Sequence, residues 1–288
     1  MRTFYYVHTG HRIGLDRFRR ATTILRALGD DNITLLSSDF RISHIGREFG
    51  VRDCVGIDVV RNIPQIAHHG DKIIFDSDEA NPLMLDDMRK FFSKFIRISD
   101  RIDDKKEANE FLISPYLQGE GICNAYAIDD KYFGQFTKTT KLSFFFGDDD
   151  YEKDLEKNLA LFDALDPSLQ LGFYYFLDYE DMLKKRFNEC FEFEEYDEMI
   201  TSSEILITSS PQAALECLAS GGKPIYLMRE DYENNFNELF AKLNIPIIQN
   251  YNKDDLSVVL STIDNINYQN IVSQSNKYTH FIKESLYV

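Results

Sequence analysis

The sequence has few cysteines, and their spacing matches neither a metal site nor a disulfide framework. Cys54, Cys123, Cys190 and Cys217 are far apart in the 288-residue chain and form no CxxC pair. Such spacing predicts reduced thiols, most of them in the core. We therefore expect neither a zinc module nor a disulfide scaffold.

Basic residues are scarce relative to acidic ones. The chain has 32 lysines and arginines against 48 aspartates and glutamates, which gives a formal charge of -16. This charge repels nucleic acid and anionic membrane surfaces over most of the molecule. A nucleic-acid partner is therefore disfavoured.

Long apolar runs are also missing, since the longest are only the length of a strand. The first ten residues, MRTFYYVHTG, lack a basic region followed by an apolar stretch and a cleavage site. We expect a cytoplasmic protein without a membrane span. The sequence does not indicate its oligomeric state.

Hydrophobic residues make up 43% of the chain, and short apolar runs alternate with helical patterns. In the first half this alternation predicts strands at 3–8, 32–37, 53–59, 72–76 and 95–99, with helices at 15–28, 40–49 and 82–92. In the second half it predicts strands at 142–146, 171–176, 205–209, 224–228 and 246–249, with helices at 152–165, 211–220, 234–243 and 254–263. Such alternation is typical of parallel sheets with right-handed crossovers.

We predict an α/β protein with two Rossmann-like, doubly wound domains and a cleft between them. The expected domains are residues 1–138 and 139–288, and the second is predicted to bind a nucleotide. A last helix at 268–286 is expected to pack back on the first domain. In open parallel sheets, ligands bind beyond the carboxyl ends of the strands, so the loops there are the candidate sites.

The loop after the first strand combines glycines, histidines and arginines. Glycines allow tight turns, a helix start offers free N–H donors, and imidazole and guanidinium groups suit a phosphorylated substrate. The candidates are His8, Gly10, His11, Gly14, Asp16 and Arg17. The alternative is structural: His8 ends a strand in a satisfied hydrogen bond, and an exposed helix face is formed by Arg19, Arg20 and Arg26.

The second candidate lies in the segment ILITSSPQAALECLASGGKP, where Ser209 and Ser210 precede a helix that carries Glu216. A serine N-cap followed by Pro211 explains the helix start without any ligand. Capping does not explain a carboxylate among small and apolar residues, whereas the two hydroxyls of a ribose would satisfy it. The predicted nucleotide site is completed by Gly147 and by Asn234 and Asn235, which lie near a later helix start.

The order of these motifs resembles the MurG-like GT-B glycosyltransferases. In that family the glutamate corresponding to Glu216 holds the ribose, and the serine turn and helix termini contact uracil and diphosphate. Size and layout are most similar to the UDP-sugar hydrolase of pseudaminic acid biosynthesis and to the spore-coat-polysaccharide proteins. Supporting matches are the arginine-bearing helix at 13–19, IIFD at 73–76 and the aromatic strand that ends at Gly147.

The chain departs from the hydrolase pattern at two places. Where the hydrolases have a histidine that activates water, this chain has Leu15, Asp16 and Arg17, so His11, His8 or Asp16 would have to act as the base. After Gly147, three aspartates at 148–150 replace a glycine-rich turn. We interpret them as caps of the next helix, and binding of a divalent cation is the less favoured alternative.

The resemblance therefore implies a hydrolase of a nucleotide-activated sugar, UDP-linked, in bacterial surface-glycan or nonulosonate biosynthesis, and we expect no cofactor. A GT-B glycosyltransferase that uses a UDP-sugar donor is the alternative. A binding protein of the same shape that has lost catalysis is a further one. In each case the expected partner is a nucleotide sugar.

Overall fold

The computed structural model describes residues 1–30, 32–79, 81–233 and 235–287. It contains two compact units. The first consists of Met1–Gly10, Arg17–Asp129 and Ser273–Val288, and the second of His11–Asp16 and Asp130–Val272. The chain thus contributes a short early segment to the second unit.

Each unit is built on a parallel sheet. In the first sheet the strand order is β3-β2-β1-β4-β5-β6-β7, and in the second it is β10-β9-β8-β11-β12-β13. The strands of the first are β1 (Thr3–Val7), β2 (Ile33–Ser37), β3 (Cys54–Gly56), β4 (Lys72–Asp76), β5 (Lys94–Ile98), β6 (Phe111–Ser114) and β7 (Ile122–Asn124). Those of the second are β8 (Thr140–Phe145), β9 (Ser168–Gln170), β10 (Cys190–Phe191), β11 (Ser203–Thr208), β12 (Lys223–Leu227) and β13 (Ile247–Ile248). The pairings are parallel throughout these ranges, which confirms the predicted α/β class.

Most of the α-helices lie between consecutive strands as crossover connections, and the last two follow the final strand. They are α1 (Asp16–Leu28), α2 (Phe40–Ile45), α3 (Ile63–Ile66), α4 (Pro82–Phe91), α5 (Asp154–Lys157), α6 (Leu177–Arg186), α7 (Tyr196–Ser202), α8 (Pro211–Ala219), α9 (Asn237–Leu243), α10 (Lys253–Thr262) and α11 (Ser275–Tyr287). Two of the helix starts share one sequence signal, a polar N-cap followed by proline. Asn81 accepts from the amide of Met84 before α4, and Ser210 accepts from that of Ala213 before α8.

The central strands are buried on both faces, as parallel strands covered by helices must be. Every residue of β1 is buried. The core of the first unit is formed chiefly by Phe4, Tyr6, Leu36, Ile73, Phe75 and Phe95. The core of the second is formed chiefly by Phe144, Leu169, Ile207, Ile225 and Leu227.

Several predicted elements of the second unit are wrong. The strand lies at Ser168–Gln170, and the aromatic residues predicted as a strand at 171–176 form a turn instead. Tyr174 accounts for this turn, because its amide donates to the carbonyl of Asp148 rather than to a neighbouring strand. The helix predicted at 152–165 is only a short α-helical turn, α5, followed by a 3₁₀ turn.

The region 100–140, where the sequence pattern predicted no strand, contains β6 and β7. The predicted domain division was at 138/139, whereas the units of the structure change at 129/130. Contacts within the second unit hold the intervening residues there: Tyr132 donates to Asp197 at 2.6 Å, and Lys138 donates to the carbonyl of Thr201 at 2.9 Å. Helix α11 belongs to the first unit, where it contacts β5 and β7.

Among the residues that the structure describes, no helix has the length and apolar character needed to cross a membrane.

Candidate functional site

Three strands of the second sheet bring polar residues to one edge. Because β8, β11 and β12 are adjacent and parallel, the residues after their carboxyl ends lie at the same edge of the sheet. Asp149 follows β8, Ser210 follows β11, and Arg229 follows β12. The early segment His11–Asp16 belongs to this unit and brings two more candidates, His11 and Asp16.

His11 and Asp149 form a hydrogen-bonded pair. The Nδ1 atom of His11 lies 3.0 Å from Oδ1 of Asp149, whose side chain is only 1% exposed. The imidazole itself is 30% exposed, and its ring stacks on Phe176 at 5.7 Å and packs on Tyr174 at 4.9 Å. A buried carboxylate thus orients one ring nitrogen, which is how a histidine is held as a general base.

Arg229 is a buried cation behind this pair. Its guanidinium lies between the rings of Phe146 and Tyr232, at 4.4 and 4.1 Å, and its side chain is 1% exposed. One terminal nitrogen donates to the carbonyl of Asp149 at 2.6 Å, and the rest of the fork pairs with Asp231. Burial alone would lower the pKa of Arg229, but Tyr232 and Asp231 outweigh it and raise that pKa above its ordinary value.

The Asp16 carboxylate occupies the start of α8. It accepts from the hydroxyl of Ser210 at 2.6 Å and from the amide of Gln212 at 3.2 Å. The Ser210 hydroxyl in turn caps the amide of Ala213, which confirms the predicted N-cap. A helix start favours an anion, so Asp16 lies where a free anionic ligand would find its donors.

Glu216 is buried, as predicted, but it has partners within the protein. Its Oε2 accepts from the hydroxyl of Tyr196 at 2.7 Å, and its Oε1 accepts from the side-chain Nε2 of Gln212 at 2.8 Å. Both carboxylate oxygens are therefore satisfied without a ribose, so burial by itself gives no reason to invoke one. The assignment of Glu216 to ribose binding stays a prediction.

The predicted glycines adopt backbone conformations that suit glycine. Gly10, Gly14 and Gly147 have φ of 150°, 77° and 122°. A Cβ at Gly14 would lie 3.3 Å from the hydroxyl of Tyr232, so glycine also allows close packing there. Arg12, between the first two, has a φ of 66°, which is uncommon for a residue with a side chain.

The remaining predicted nucleotide contacts have different surroundings. Ser209 is fully buried, and among the described residues its hydroxyl has no hydrogen-bond partner. Asn235 donates to Glu233 at 2.9 Å. Asn234 lies outside the described residues, and α9 begins at Asn237 rather than at 234.

The three aspartates after Gly147 are all buried. Asp150 accepts from the amides of Asp154 and Leu155 and from the hydroxyl of Tyr179, which confirms that it caps the turn that follows. Asp149 orients His11. In the described ranges no group of three carboxylate, imidazole or thiol side chains is placed to hold a metal ion.

The first unit has a polar cluster of its own at the carboxyl ends of β1 and β4. His8 lies 2.5 Å from Asp78 through Nδ1, and Arg17 pairs with the same carboxylate at 3.1 Å. Burial alone would raise the pKa of Asp78, but the hydrogen bond with His8 and the charge of Arg17 hold it well below its ordinary value. His8 therefore ends its strand in a satisfied contact, as the structural alternative proposed.

Of the three arginines that this alternative placed on an exposed face of α1, Arg26 is exposed but the other two are not. Arg19 and Arg20 are buried. Arg20 makes a forked pair with Asp76, at 2.5 and 2.9 Å, and a further contact with Asp100 at 2.6 Å. A planar guanidinium suits such a forked contact, and the cluster fixes α1 on the sheet.

No protein-family model matches the sequence, and no curated protein matches it either. Solved structures do match over nearly the whole chain. The UDP-GlcNAc 2-epimerase of Methanocaldococcus jannaschii, solved with UDP-GlcNAc and UDP, is 12% identical with a TM-score of 0.65, and the alignment covers 100% of both chains. HepE of Anabaena, solved with UDP-glucose, is 10% identical with a TM-score of 0.57 over 99% of this chain and 94% of its own. MurG of Acinetobacter baumannii is 8% identical with a TM-score of 0.54 over 99% and 95%.

The chain has the GT-B fold. The MurG-like architecture that the motif order predicted is thereby confirmed, since both sheets and their connections are matched. A specific similarity to the pseudaminic acid hydrolases stays a prediction.

Sequence reasoning missed two features of the candidate site: the buried Arg229, and the pairing of Asp149 with His11. A signal for Arg229 was present: an arginine two residues after the buried strand β12 must either leave the core or find a buried partner. No sequence signal joined His11 to Asp149, which lie 138 residues apart.

Proposed function

We propose that this protein is a glycosyltransferase that moves a sugar from a UDP-linked donor to a hydroxyl group of an acceptor. Its fold is shared with enzymes whose structures hold UDP-GlcNAc or UDP-glucose. The hydrolase predicted first from the sequence has less support, because these neighbours include glycosyltransferases and an epimerase. The histidine of the hydrolase turn is also absent.

The observation that carries the proposal is the pair of His11 and Asp149. In the proposed reaction His11 takes the proton of the acceptor hydroxyl as the oxygen attacks the anomeric carbon. A bond forms between that oxygen and the sugar, the bond from the sugar to the diphosphate breaks, and UDP leaves with the electron pair. Asp149 holds the imidazole and stabilises the cation that forms.

The start of α8 is the proposed place for the diphosphate. Its amides and the Ser210 hydroxyl are suited to an anion, and at present they bind the carboxylate of Asp16. A diphosphate would have to displace this carboxylate. In this scheme Asp16 is a competitor for the site and His11 is the base.

The test measures binding and turnover separately. Calorimetry with UDP reports binding, and release of UDP from UDP-GlcNAc and UDP-glucose is followed with and without a panel of sugar acceptors. We expect His11→Ala and Asp149→Asn to lower turnover by about 10²–10⁴-fold, the usual range for a general base, while UDP affinity changes little. His280→Ala, on the exposed part of α11, is the matched control.

Each outcome has one meaning. Release of free sugar at the same rate without acceptor would favour hydrolysis. Failure to bind UDP would favour the non-catalytic alternative. This outcome is tested because the Asp16 carboxylate occupies the proposed diphosphate site at the start of α8. Full activity of His11→Ala together with loss of activity in His8→Ala would transfer the role of base to His8 and Asp78.

A further inference from the structure

A pocket of about 500 Å³ opens beside the edge strand of the first sheet. Its walls include Thr34 near the start of β2, Cys54 at the start of β3, and Ser43 and His44 in the last turn of α2. The amino ends of parallel strands lie opposite their carboxyl ends. The pocket therefore lies at the opposite end of the strands from the loops that follow β1 and β4, and none of its lining residues belongs to the site proposed above.

The charged groups of the pocket are mainly cationic, in a protein with a net charge of -16. Arg47 enters from the turn after α2, Arg52 enters from the segment before β3, and His44 adds an imidazole. Asp53 is the carboxylate that lines the same space. Two guanidiniums and an imidazole thus face one carboxylate.

Arg47 differs from most arginines of this chain. Acidic residues outnumber basic ones, and arginines such as Arg20, Arg97 and Arg186 are in ion pairs. Arg47 is exposed and makes no ion pair with any residue that the structure describes. Its charge is available to an anion from solution.

The walls of the pocket are held close together. Glycines lie where α2 meets β3: a Cβ on Gly56 would be 2.9 Å from the Cα of Phe40, and one on Gly46 would be 3.1 Å from the Cβ of Cys54. Such close packing leaves α2 little freedom to shift on the edge strand. The side chains that line the pocket therefore project from a fixed frame.

We propose that this pocket binds a phosphorylated sugar. The guanidiniums of Arg47 and Arg52 suit the phosphate, because a guanidinium presents several N–H donors to its oxygens. The carboxylate of Asp53 accepts from sugar hydroxyls, which free phosphate does not have. The hydroxyls of Thr34 and Ser43 add neutral hydrogen-bonding groups, and the volume is within the range of small-molecule sites.

The test is calorimetric titration of the full chain with glucose 1-phosphate, inorganic phosphate and glucose. We expect glucose 1-phosphate to bind more tightly than inorganic phosphate and glucose not to bind. Arg47→Ala should weaken binding of glucose 1-phosphate by about 10- to 100-fold, the usual effect of losing a charged hydrogen bond. Ser43→Glu, which puts a carboxylate in the pocket, should abolish it.

Arg61→Ala is the matched control, since Arg61 is equally exposed, belongs to the same unit and likewise makes no ion pair within the described ranges. The affinity of Arg61→Ala for glucose 1-phosphate should stay within twofold of that of the wild type. Equal binding of glucose 1-phosphate by Arg47→Ala, Ser43→Glu and the wild type would overturn the proposal. Equal affinity for inorganic phosphate and glucose 1-phosphate would overturn the assignment to a sugar. UDP affinity should be the same in all these variants, so this test and that of the transferase fail independently.

Discussion

Replacing Arg229 by methionine tests a deeply buried charge of the second unit. Methionine keeps much of the side-chain volume between Phe146 and Tyr232 but removes the charge and every donor. The carbonyl of Asp149 then loses a donor at 2.6 Å, which costs about 1–3 kcal/mol for a buried acceptor. Loss of the cation between two rings costs a further ~0.5–2 kcal/mol.

The partner carboxylate adds little to this cost. The side chain of Asp231 is 32% exposed, so once freed it is hydrated rather than left buried. Replacing a whole buried ion pair by apolar groups can be neutral, but here the group left unsatisfied is a backbone carbonyl. We therefore expect Arg229→Met to lower the free energy of unfolding of the second unit by about 2–4 kcal/mol.

The assay is urea unfolding followed by near-ultraviolet circular dichroism of the tyrosines. Arg186→Met is the control, because Arg186 pairs with Asp163 on the surface of the same unit and should change stability by no more than about 0.5 kcal/mol. The turnover of Arg229→Met should also fall at nearly constant UDP affinity, since Asp149 would orient His11 less well. A variant as stable as the control would refute this account of Arg229.

Two further predictions concern the start and the middle of α8. Asp16→Asn should bind UDP about two- to fivefold more tightly by calorimetry. The substitution removes a negative charge that competes with the diphosphate, and the interaction of that charge with the helix start is worth ~0.3–1 kcal/mol. Weaker binding would contradict the assignment of Asp16 as a competitor. Glu216→Ala should destabilise the second unit by about 2–4 kcal/mol in the same urea assay, because the buried Tyr196 hydroxyl and the Gln212 side-chain amide lose their acceptor. The control is Glu204→Ala, which removes a half-exposed ion pair with Lys223 and should have little effect. A fully stable Glu216→Ala variant would show that these contacts are unimportant.

The sequence predicted the parts of the fold that are set by local chemistry. Runs such as KIIFD and SEILIT are strands in the structure because nearly every residue is buried, which is what parallel pairing under helices requires. The start of α8 followed from Ser210 and Pro211 alone. Two strands of the first sheet, β6 and β7, were not predicted. They are short and lie between polar loops, where hydrophobic periodicity gives little signal.

The aromatic turn at 171–176 shows a different limit of sequence reasoning. Its residues favour a strand by composition, since aromatic side chains are common in sheets. Gly172 explains why the chain turns instead: a Cβ there would lie 2.5 Å from the carbonyl of Gly147, so this backbone packs against the loop after β8. Such a tertiary contact cannot be inferred from local propensity.

Glu216 shows why a buried charge is weak grounds for a ligand when only the sequence is known. The argument that a carboxylate in an apolar helix needs partners was correct. Its partners are Gln212, one turn earlier on the same helix, and Tyr196 from α7. Gln212 could have been found from its spacing of four residues, because such pairs face each other on a helix, whereas Tyr196 required the fold.

The two histidines of the first loop are close in sequence but belong to different clusters of the structure. His8 and His11 are three residues apart, and the sequence offered them as alternatives for one role. The structure gives each its own carboxylate, Asp78 in the first unit and Asp149 in the second, because the chain leaves the first unit after Gly10. The left-handed Arg12 and Gly14 permit that change of direction within a few residues. Since different carboxylates hold the two histidines, their single variants should act independently, and a double variant that departs from additivity would show a coupling that these two contacts do not contain.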